Sequence, residues 1–520
     1  MSRRIAFLPF LFCLTLAAFI TLPEAACSAP NQKVHQPAVA GAFYPADPGE
    51  LTKMVDGFLS AVQVPEVKDL VAIVSPHAGY VYSGPVAAHA YALLKGRKID
   101  RVVVISPSHI DSFSFSSVYD GSAYATPLGQ IPVDQTFAAK LAAVRGIQLS
   151  GRGHTSAGER AEHALEVQLP FLQRSLGQFK VVPVIMGEPS YDACRTLGLA
   201  LAKLIQGPGT LIVASSDLSH FHPYDEAVKL DRKTLRAIQE WDYLSLARNF
   251  EQRVWEACGG GPIVAAMIAA ERLGANRAMV LKYANSGDAT GDRSRVVGYG
   301  AVALVRDSGA SGAGGQKFGL SQAERDELLR IARTSVETAV KQGKLYELST
   351  VKSDTLMQER GAFVTLKKQG QLRGCIGYVA PMKPLALTVR DVAAMAAMRD
   401  TRFPPVTAQE LSELEYEISV LSPLRRVLDV KQIRTGRDGL VIKKGDREGL
   451  LLPQVAPEQG WDRMTFLQQT CRKAGLPPGA WQDAETDIFS FTALVFGEHQ
   501  ASAPLTAGQP ASGEPQTRPR

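Results

Sequence analysis

Leu70-Val71-Ala72-Ile73-Val74-Ser75-Pro76-His77-Ala78-Gly79-Tyr80 is the stretch on which the reading of the fold turns. A short, unbroken apolar run rich in β-branched residues is the pattern of a strand buried on both faces, as in a parallel sheet. Here it ends in a polar loop that carries a histidine. The pattern recurs. Residues 102–105 lead into Ser106-Pro107-Ser108-His109, and residues 211–214 lead into Ser215-Ser216-Asp217-Leu218-Ser219-His220. Residues 181–185 and 296–305 are further apolar runs. Helical patterns lie between them at 85–94, at 161–176 with Pro170 as a kink, and at 225–249. Alternation of this kind predicts an α/β domain on a mostly parallel sheet.

In such sheets, ligands bind beyond the carboxyl ends of the strands. Parallel strands would bring His77, His109 and His220 to one edge. Eight of the chain's nine histidines precede Pro223, which points to metal or acid–base chemistry in this half. One such histidine alone would read as an ordinary loop residue; three at successive strand ends read as a shared site.

Cys258-Gly259-Gly260-Gly261-Pro262-Ile263 is a fourth element. Pro262 suits the first turn of a helix. A cysteine just ahead of that turn has its thiolate favoured by the helix dipole. The competing reading is a glycine turn with a buried, inert thiol. If 161–176 is helical, His163 and Glu166 share a face, either orienting site residues or lying at the surface. His89 reads as packed, His35 and His499 as exposed. Tyr80 and Tyr82 are either pocket or core residues.

With 520 residues the chain is too long for one ordinary core. The hydrophobic and charged fractions, 45% and 21%, are globular values, which excludes disorder along the whole chain. The net charge of +6 comes without a basic run interleaved with aromatics, so nucleic acid is excluded as a partner. Arg3 and Arg4, then an apolar stretch from Ile5 to Leu22, then Ala25, Ala26 and Ser28 have the order of a secretory signal over 1–29. The expected location is therefore periplasmic or extracellular. Contact with a membrane would come only through that signal or a lipid on Cys27. Ser2-Arg3-Arg4 with Phe7-Leu8 has some features of a twin-arginine signal, which exports folded protein. No CxxC pair occurs among the six cysteines, which excludes a zinc ribbon. A Cys375–Cys471 bridge is open on this reading.

The small-residue stretch within 308–317 separates a first domain, 34–307, from a second, 318–500, and a tail at 501–520 expected to be disordered. Ser321 and Glu324 fit a capping box that opens the second domain. Strands or hairpins around 361–379, 416–421 and 440–452 make this domain α+β. Cys375, between glycines and near Arg373, reads either as an activated thiol or as a strand cysteine with glycines for close packing. Asp400 and Arg402 either border the same cleft or pair with each other.

The ordered set Gly41-Ala42-Phe43-Tyr44-Pro45, the two histidine loops, Glu162-His163-Ala164-Leu165-Glu166, the loop ending at His220, and Cys258 to Ile263 resembles the Memo family, AmmeMemoRadiSam system protein B. That family is similar in fold to the LigB-type class III extradiol dioxygenases. The resemblance implies metal ligands at His77, His109 and Cys258. It also implies an acid–base histidine at His220, with Asp217 beside it. Iron is the first expectation for the transition metal, with copper or zinc as alternatives, because a thiolate is softer than the carboxylate of the usual iron triad. Leu372-Arg373-Gly374-Cys375-Ile376-Gly377, with Arg399 to Pro405 and Gly445 to Pro453, resembles the AMMECR family, AmmeMemoRadiSam system protein A. The pairing implies a functional link to a radical SAM protein. Three functions follow as expectations: a dioxygenase-like redox protein acting on a small molecule, a zinc-type hydrolase with His220 or Glu166 as base, or a non-enzymatic metal- or partner-binding module.

Overall fold

The computed structural model describes residues 33–154, 161–307, 319–348, 351–379 and 381–498. The signal segment, Cys13, Cys27, the linker, His499 and the tail lie outside the described residues. Among the described residues no helix is long and apolar enough to cross a membrane.

The first half is built on a nine-stranded sheet. Its centre is parallel, with Asp69–Ser75, Thr210–Ser215, Arg101–Pro107 and Lys180–Met186 side by side in that order. The flanks are antiparallel. Val296–Arg306 pairs with Asp69–Ser75, with Asp217–His222 and with Arg277–Asn285 on one side. Ser116–Val118 pairs with Lys180–Met186 on the other. Side chains alternate across a strand, and both faces here are covered. Val103 and Ile105 enter one core with the helices Tyr191–Leu204 and Gly260–Arg272. Val102 and Val104 enter another with Tyr80–Tyr91 and Leu169–Leu176. Burial on both faces is why these strands read as unbroken apolar runs. Ser75 is in register with Ser215, and Ile105 with Ala214. The two loops carrying His77 and His109, and the strand Asp217–His222 that follows Ser215, therefore leave one edge at one level.

Several expected elements differ. Residues 161–165 form a loop, Glu166–Gln168 a 3₁₀ turn, and only Leu169–Leu176 an α-helix. Pro170 falls in the first turn, where its missing N–H costs nothing, so it starts the helix instead of kinking it. The helix expected at 225–249 is two helices, Tyr224–Gln239 and Tyr243–Glu251. Trp241 at φ 60° breaks the chain between them, and the Asp242 side chain accepts from the Ser245 N–H to cap the second. His35 is buried, not exposed, and stacks on Tyr124 with ring centroids 4.2 Å apart.

The second half holds a seven-stranded antiparallel sheet. The hairpin of Ala362–Lys368 and Gln371–Tyr378 turns through Gln369 and Gly370, both at positive φ. The helices Gln322–Gln342 and Leu385–Met398 pack against this end, the first opening on the Ser321–Glu324 capping box. Cys375 and Cys471 are both free, so the bridge does not form. Cys471 is buried in the apolar cluster under Asp438–Lys444, whereas Cys375 lies on the Gln371–Tyr378 strand.

The two halves share one core. Leu421, Leu424, Val441, Phe489 and Phe491 join the cluster that contains Leu197, Leu244 and Ile263 of the first half. Glu271, near the end of the helix Gly260–Arg272, is buried at this junction and accepts from the Tyr243 hydroxyl at 2.9 Å. Burial pushes its carboxyl up to about 7. The folded state therefore holds a proton that the unfolded chain releases near 4.5, the ordinary value for a glutamate. The sign is that stability falls as pH rises between those two values, by at most about 3 kcal/mol. Urea unfolding at pH 5 and pH 7.5 is expected to show this loss, and Glu271→Gln is expected to flatten it.

Candidate metal centre

His77 follows the strand Asp69–Ser75 and is fully enclosed. Its backbone N–H donates to Asp217 Oδ1 at 2.7 Å. Its Nδ1 lies 2.8 Å from Ser215 Oγ. The partners of Ser215 decide the tautomer. The Ser215 hydroxyl donates to the Ala164 carbonyl at 2.6 Å. Gln168 Nε2 donates to Ser215 Oγ at 2.7 Å and to the Pro76 carbonyl at 3.0 Å, while its Oε1 accepts from the Tyr91 hydroxyl. With its single proton spent on a carbonyl, Ser215 Oγ accepts from His77, so Nδ1 carries the hydrogen and Nε2 presents a bare lone pair.

His109 reaches the same arrangement through a carboxylate. Glu162 accepts from the His109 N–H at 2.6 Å and lies 3.0 Å from His109 Nδ1. It also accepts the N–H groups of His163 and Ala164 at 3.0 Å each. Burial alone would raise this carboxyl, but the His109 contact and the backbone donors outweigh it and hold it low. An ionised Glu162 holds the hydrogen on His109 Nδ1 and leaves Nε2 bare, the arrangement by which a carboxylate orients a metal-binding imidazole.

His163 completes a cluster. A ligand atom from each of His77, His109 and His163 lies within 4.8 Å of the others. The His163 ring stacks on His109 with centroids 4.7 Å apart and touches Phe43 at 4.5 Å. Burial and the neighbouring His109 lower His163 to about 4, and burial with the other histidines holds His77 well below its usual range. Neutral imidazoles are the form that binds metal.

Cys258 meets His77 but is not a member of the three-histidine cluster. Its Sγ lies 3.0 Å from His77 Nε2 and accepts the Asp217 N–H at 3.2 Å. The helix that follows is Gly260–Arg272, with Gly259 as its N-cap. The expected lowering of the thiol does not occur: burial, with the Asp217 charge beside it, pushes it well up. Desolvation outweighs one helix terminus here, and the protonated thiol lies between His77 Nε2 and the Asp217 carbonyl. Gly259 is required for this approach, since a Cβ there would lie 2.1 Å from the Ser215 carbonyl oxygen. Gly259→Ala is expected to cost at least about 1–3 kcal/mol and to move Cys258 off His77. Denaturant unfolding, with thiol labelling of the folded protein, checks this.

Asp217 is buried, and its carboxyl is raised by that burial to about 7. His220 is half-buried, held below its usual range by burial, and its ring meets Phe221 edge-on at 5.8 Å. The Glu256 carboxylate accepts from the His220 N–H and pairs with His222 Nε2 at 2.9 Å. The strand Asp217–His222 carries irregular pairing on both sides of His220, and Phe221 adopts φ 63°. This bulge re-aims the side chains beside the site.

Other expectations change. Glu166 does not share a face with His163. It accepts from the Ala38 and Val39 N–H groups and the Tyr44 hydroxyl, pinning the N-terminal segment, and this removes it as a base. Tyr80 is core, its hydroxyl donating to the Val167 carbonyl, and Tyr82 is exposed. His89 is half-buried, and His154 is buried, its ring nitrogens meeting the Tyr124 hydroxyl and the Ser117 carbonyl. Arg373 forks onto Glu410. The contacts of Cys375 are within its own domain: the Thr365 hydroxyl at 3.3 Å, Asp400 on its N–H and Arg402 on its carbonyl. Asp400 and Arg402 also pair at 2.7 Å. Sequence reasoning missed Gln168, Ser215 as the His77 anchor, and Glu256. Only Ser215 had a signal, its place at a strand end.

A family model described as Memo-like protein matches residues 35–303, and one described as AMMECR1 matches residues 329–496. A MEMO1 family protein of Methanopyrus kandleri is 38% identical over 282 residues, which is 52% of this chain and 98% of that protein. Another, of Sulfolobus acidocaldarius, is 39% identical over 280 residues, which is 51% of this chain and 96% of that protein. An uncharacterized protein of Pyrococcus horikoshii, known from a crystal structure, is 42% identical with a TM-score of 0.31, over 33% of this chain and 90% of that one. The first model alone spans half of the chain, and its match contains every histidine of the cluster: the chain belongs to the Memo-like family, and an AMMECR1 domain follows.

Proposed function

We infer that this protein is a metal-dependent, dioxygenase-like oxidoreductase acting on a small molecule, with His77, His109 and Cys258 as ligands and His163 closing the cluster. The observation that carries the reading is the pair of anchored imidazoles. Ser215 and Glu162 each take one Nδ1 hydrogen, so two bare Nε2 atoms are held ready in one pocket. The donor set fits a transition metal, since imidazole and thiolate suit iron, copper and zinc. A bound iron or copper ion would supply Lewis acidity and one-electron chemistry. The chain's own residues would do the rest. His220, neutral and half-buried, would take a proton from a substrate hydroxyl. Asp217 holds the His77 backbone and so positions the ring. Tyr80, Tyr91 and Phe171 are buried together in the core, and the Tyr91 hydroxyl holds Gln168 in place.

Metal analysis of the purified full chain, followed by oxygen uptake with catechols on the reduced, iron-loaded protein, tests this. Oxygen uptake that follows the metal content is expected. No uptake, together with hydrolysis by the zinc-loaded protein, would overturn it in favour of a hydrolase. Export and a link to a radical SAM protein belong to the same proposal; N-terminal sequencing of the native protein, with residues before Ala29 still present, would refute export.

A further inference from the structure

His220 is held in place from outside the strand that carries it. Asp217–His222 runs against Val296–Arg306, with Asp217 opposite Tyr299 and His220 opposite Val297. Leu218 and Ser219 therefore face the single residue Gly298. A bulge of this kind disrupts the ladder and leaves a backbone group of the longer strand to find another partner. The Ser219 N–H finds a carboxylate. Asp231, buried on the helix Tyr224–Gln239, accepts it on Oδ1 at 2.8 Å. The Tyr283 hydroxyl donates to Oδ2 at 2.8 Å and fixes the rotation of the carboxyl group. Gly298 makes room for this approach, since a Cβ there would lie 1.9 Å from Asp231 Oδ2.

The backbone just beyond is strained. Phe221 adopts φ 63°, a conformation that a bulky side chain takes only where its surroundings impose it. Neighbours on a regular strand point to opposite faces. Here the His220 and Phe221 rings instead meet edge-on at 5.8 Å. Two carboxylates grip this segment. Glu256 takes the His220 N–H at 3.3 Å, but it is half-buried and shared with His222. Asp231 is buried and takes the N–H one residue earlier at the shorter distance. The His220 ring thereby stays near enough to His77 and His109 for their charges to act on one another. Placing a carboxylate in the core carries a desolvation cost. An acid at this position is therefore explained by what it holds.

We propose that Asp231 is a positioning residue of the site: through the Ser219 N–H it fixes the bulge that aims His220 at the metal cluster, and Gly298 is the gap that admits it. This rests on His220 acting as the base in the reaction proposed above.

The test uses the full chain and two readouts. One is the ring-nitrogen NMR signals of His220 in zinc-loaded protein with isotope-labelled histidine, assigned by their loss in His220→Gln. The other is kcat and KM for oxygen uptake with catechol on the reduced, iron-loaded protein. Asp231→Ala is expected to shift the His220 signals and to lower kcat about 100-fold, the scale of a misplacement of about 1 Å. KM and metal stoichiometry should hold. Gly298→Ala should do the same from the other side of the contact. Asp231→Asn, which keeps an oxygen for the Ser219 N–H, should recover most of the loss. If Asp231→Ala does not fold, Tyr283→Phe carries the test, because it frees Oδ2 and should shift the same signals. Unmoved His220 signals in whichever of these two variants is folded overturn the proposal. So does a fall in kcat matched by an equal fall in metal content, which would mark a merely structural role. Absence of oxygen uptake in the wild type would overturn the reaction assigned to His220, while the His220 signals decide separately whether Asp231 places the ring.

Discussion

His77→Ala is expected to abolish stoichiometric metal binding, weakening affinity by more than about 100-fold. The lower bound comes from the next layer out, where losing a residue that orients a ligand typically costs about 10–100-fold. Glu162→Gln, which keeps shape but removes the charge on the His109 Nδ1 hydrogen, should fall within that range. The remaining ligands can be ranked. Cys258 Sγ lies 3.0 Å from His77 Nε2, while His163 is half-buried and stacked face-on against His109. Face-on stacking aims a ring's lone pairs along its neighbour instead of towards a shared point, so Cys258→Ser should cost more affinity than His163→Ala. Calorimetric titration of the apo-protein with iron(II) and zinc(II), alongside elemental analysis, gives the ranking. A large loss in His163→Ala with none in Cys258→Ser would identify a three-imidazole site instead.

Asp487→Ala should be among the most destabilising single changes in the chain, costing about 3–5 kcal/mol, the loss typical of breaking a buried ion pair from one side. Asp487 is buried at the start of the strand Asp487–Gly497. Its carboxylate meets Arg426 of its own domain at 2.7 Å. From the first domain it meets the Arg195 guanidinium at 2.8 Å and the Tyr191 hydroxyl at 2.7 Å. Removing it leaves Arg426 buried without that partner. The loss falls on the junction, so thermal unfolding should separate into two transitions where the wild type shows one. Metal stoichiometry should be unchanged, because none of these contacts reaches the histidine cluster. A single transition at the wild-type temperature would show that the apolar core at Leu421, Leu424 and Phe489 holds the junction alone.

The helix Gly260–Arg272 connects these two regions. It starts beside Cys258, ends beside Glu271, and is buried over all but its last residue. At about 1.5 Å per residue it spans roughly 20 Å. Tertiary packing therefore ties the metal-site cysteine to the domain junction by one rigid element.

By itself the sequence determined the parallel core, the edge on which His77, His109 and His220 gather, and the division into two domains. Each rests on a local signal: an unbroken apolar run, a polar loop after it, a small-residue linker. Only tertiary structure decided how the site is wired. Ser215, Gln168 and Glu162 lie far along the chain from the histidines whose hydrogens they take or support, and hydrogen bonds across such separations leave no periodicity to read. Glu166 shows the converse. It stands three residues from His163, yet the loop and 3₁₀ turn send it to the N-terminal segment, because Pro170 starts the α-helix too late to give the two a common face. Cys258 was placed correctly beside a helix start, but its thiol is raised and not lowered, since burial against Asp217 is a property of the packed edge and outweighs the dipole that the local sequence reveals.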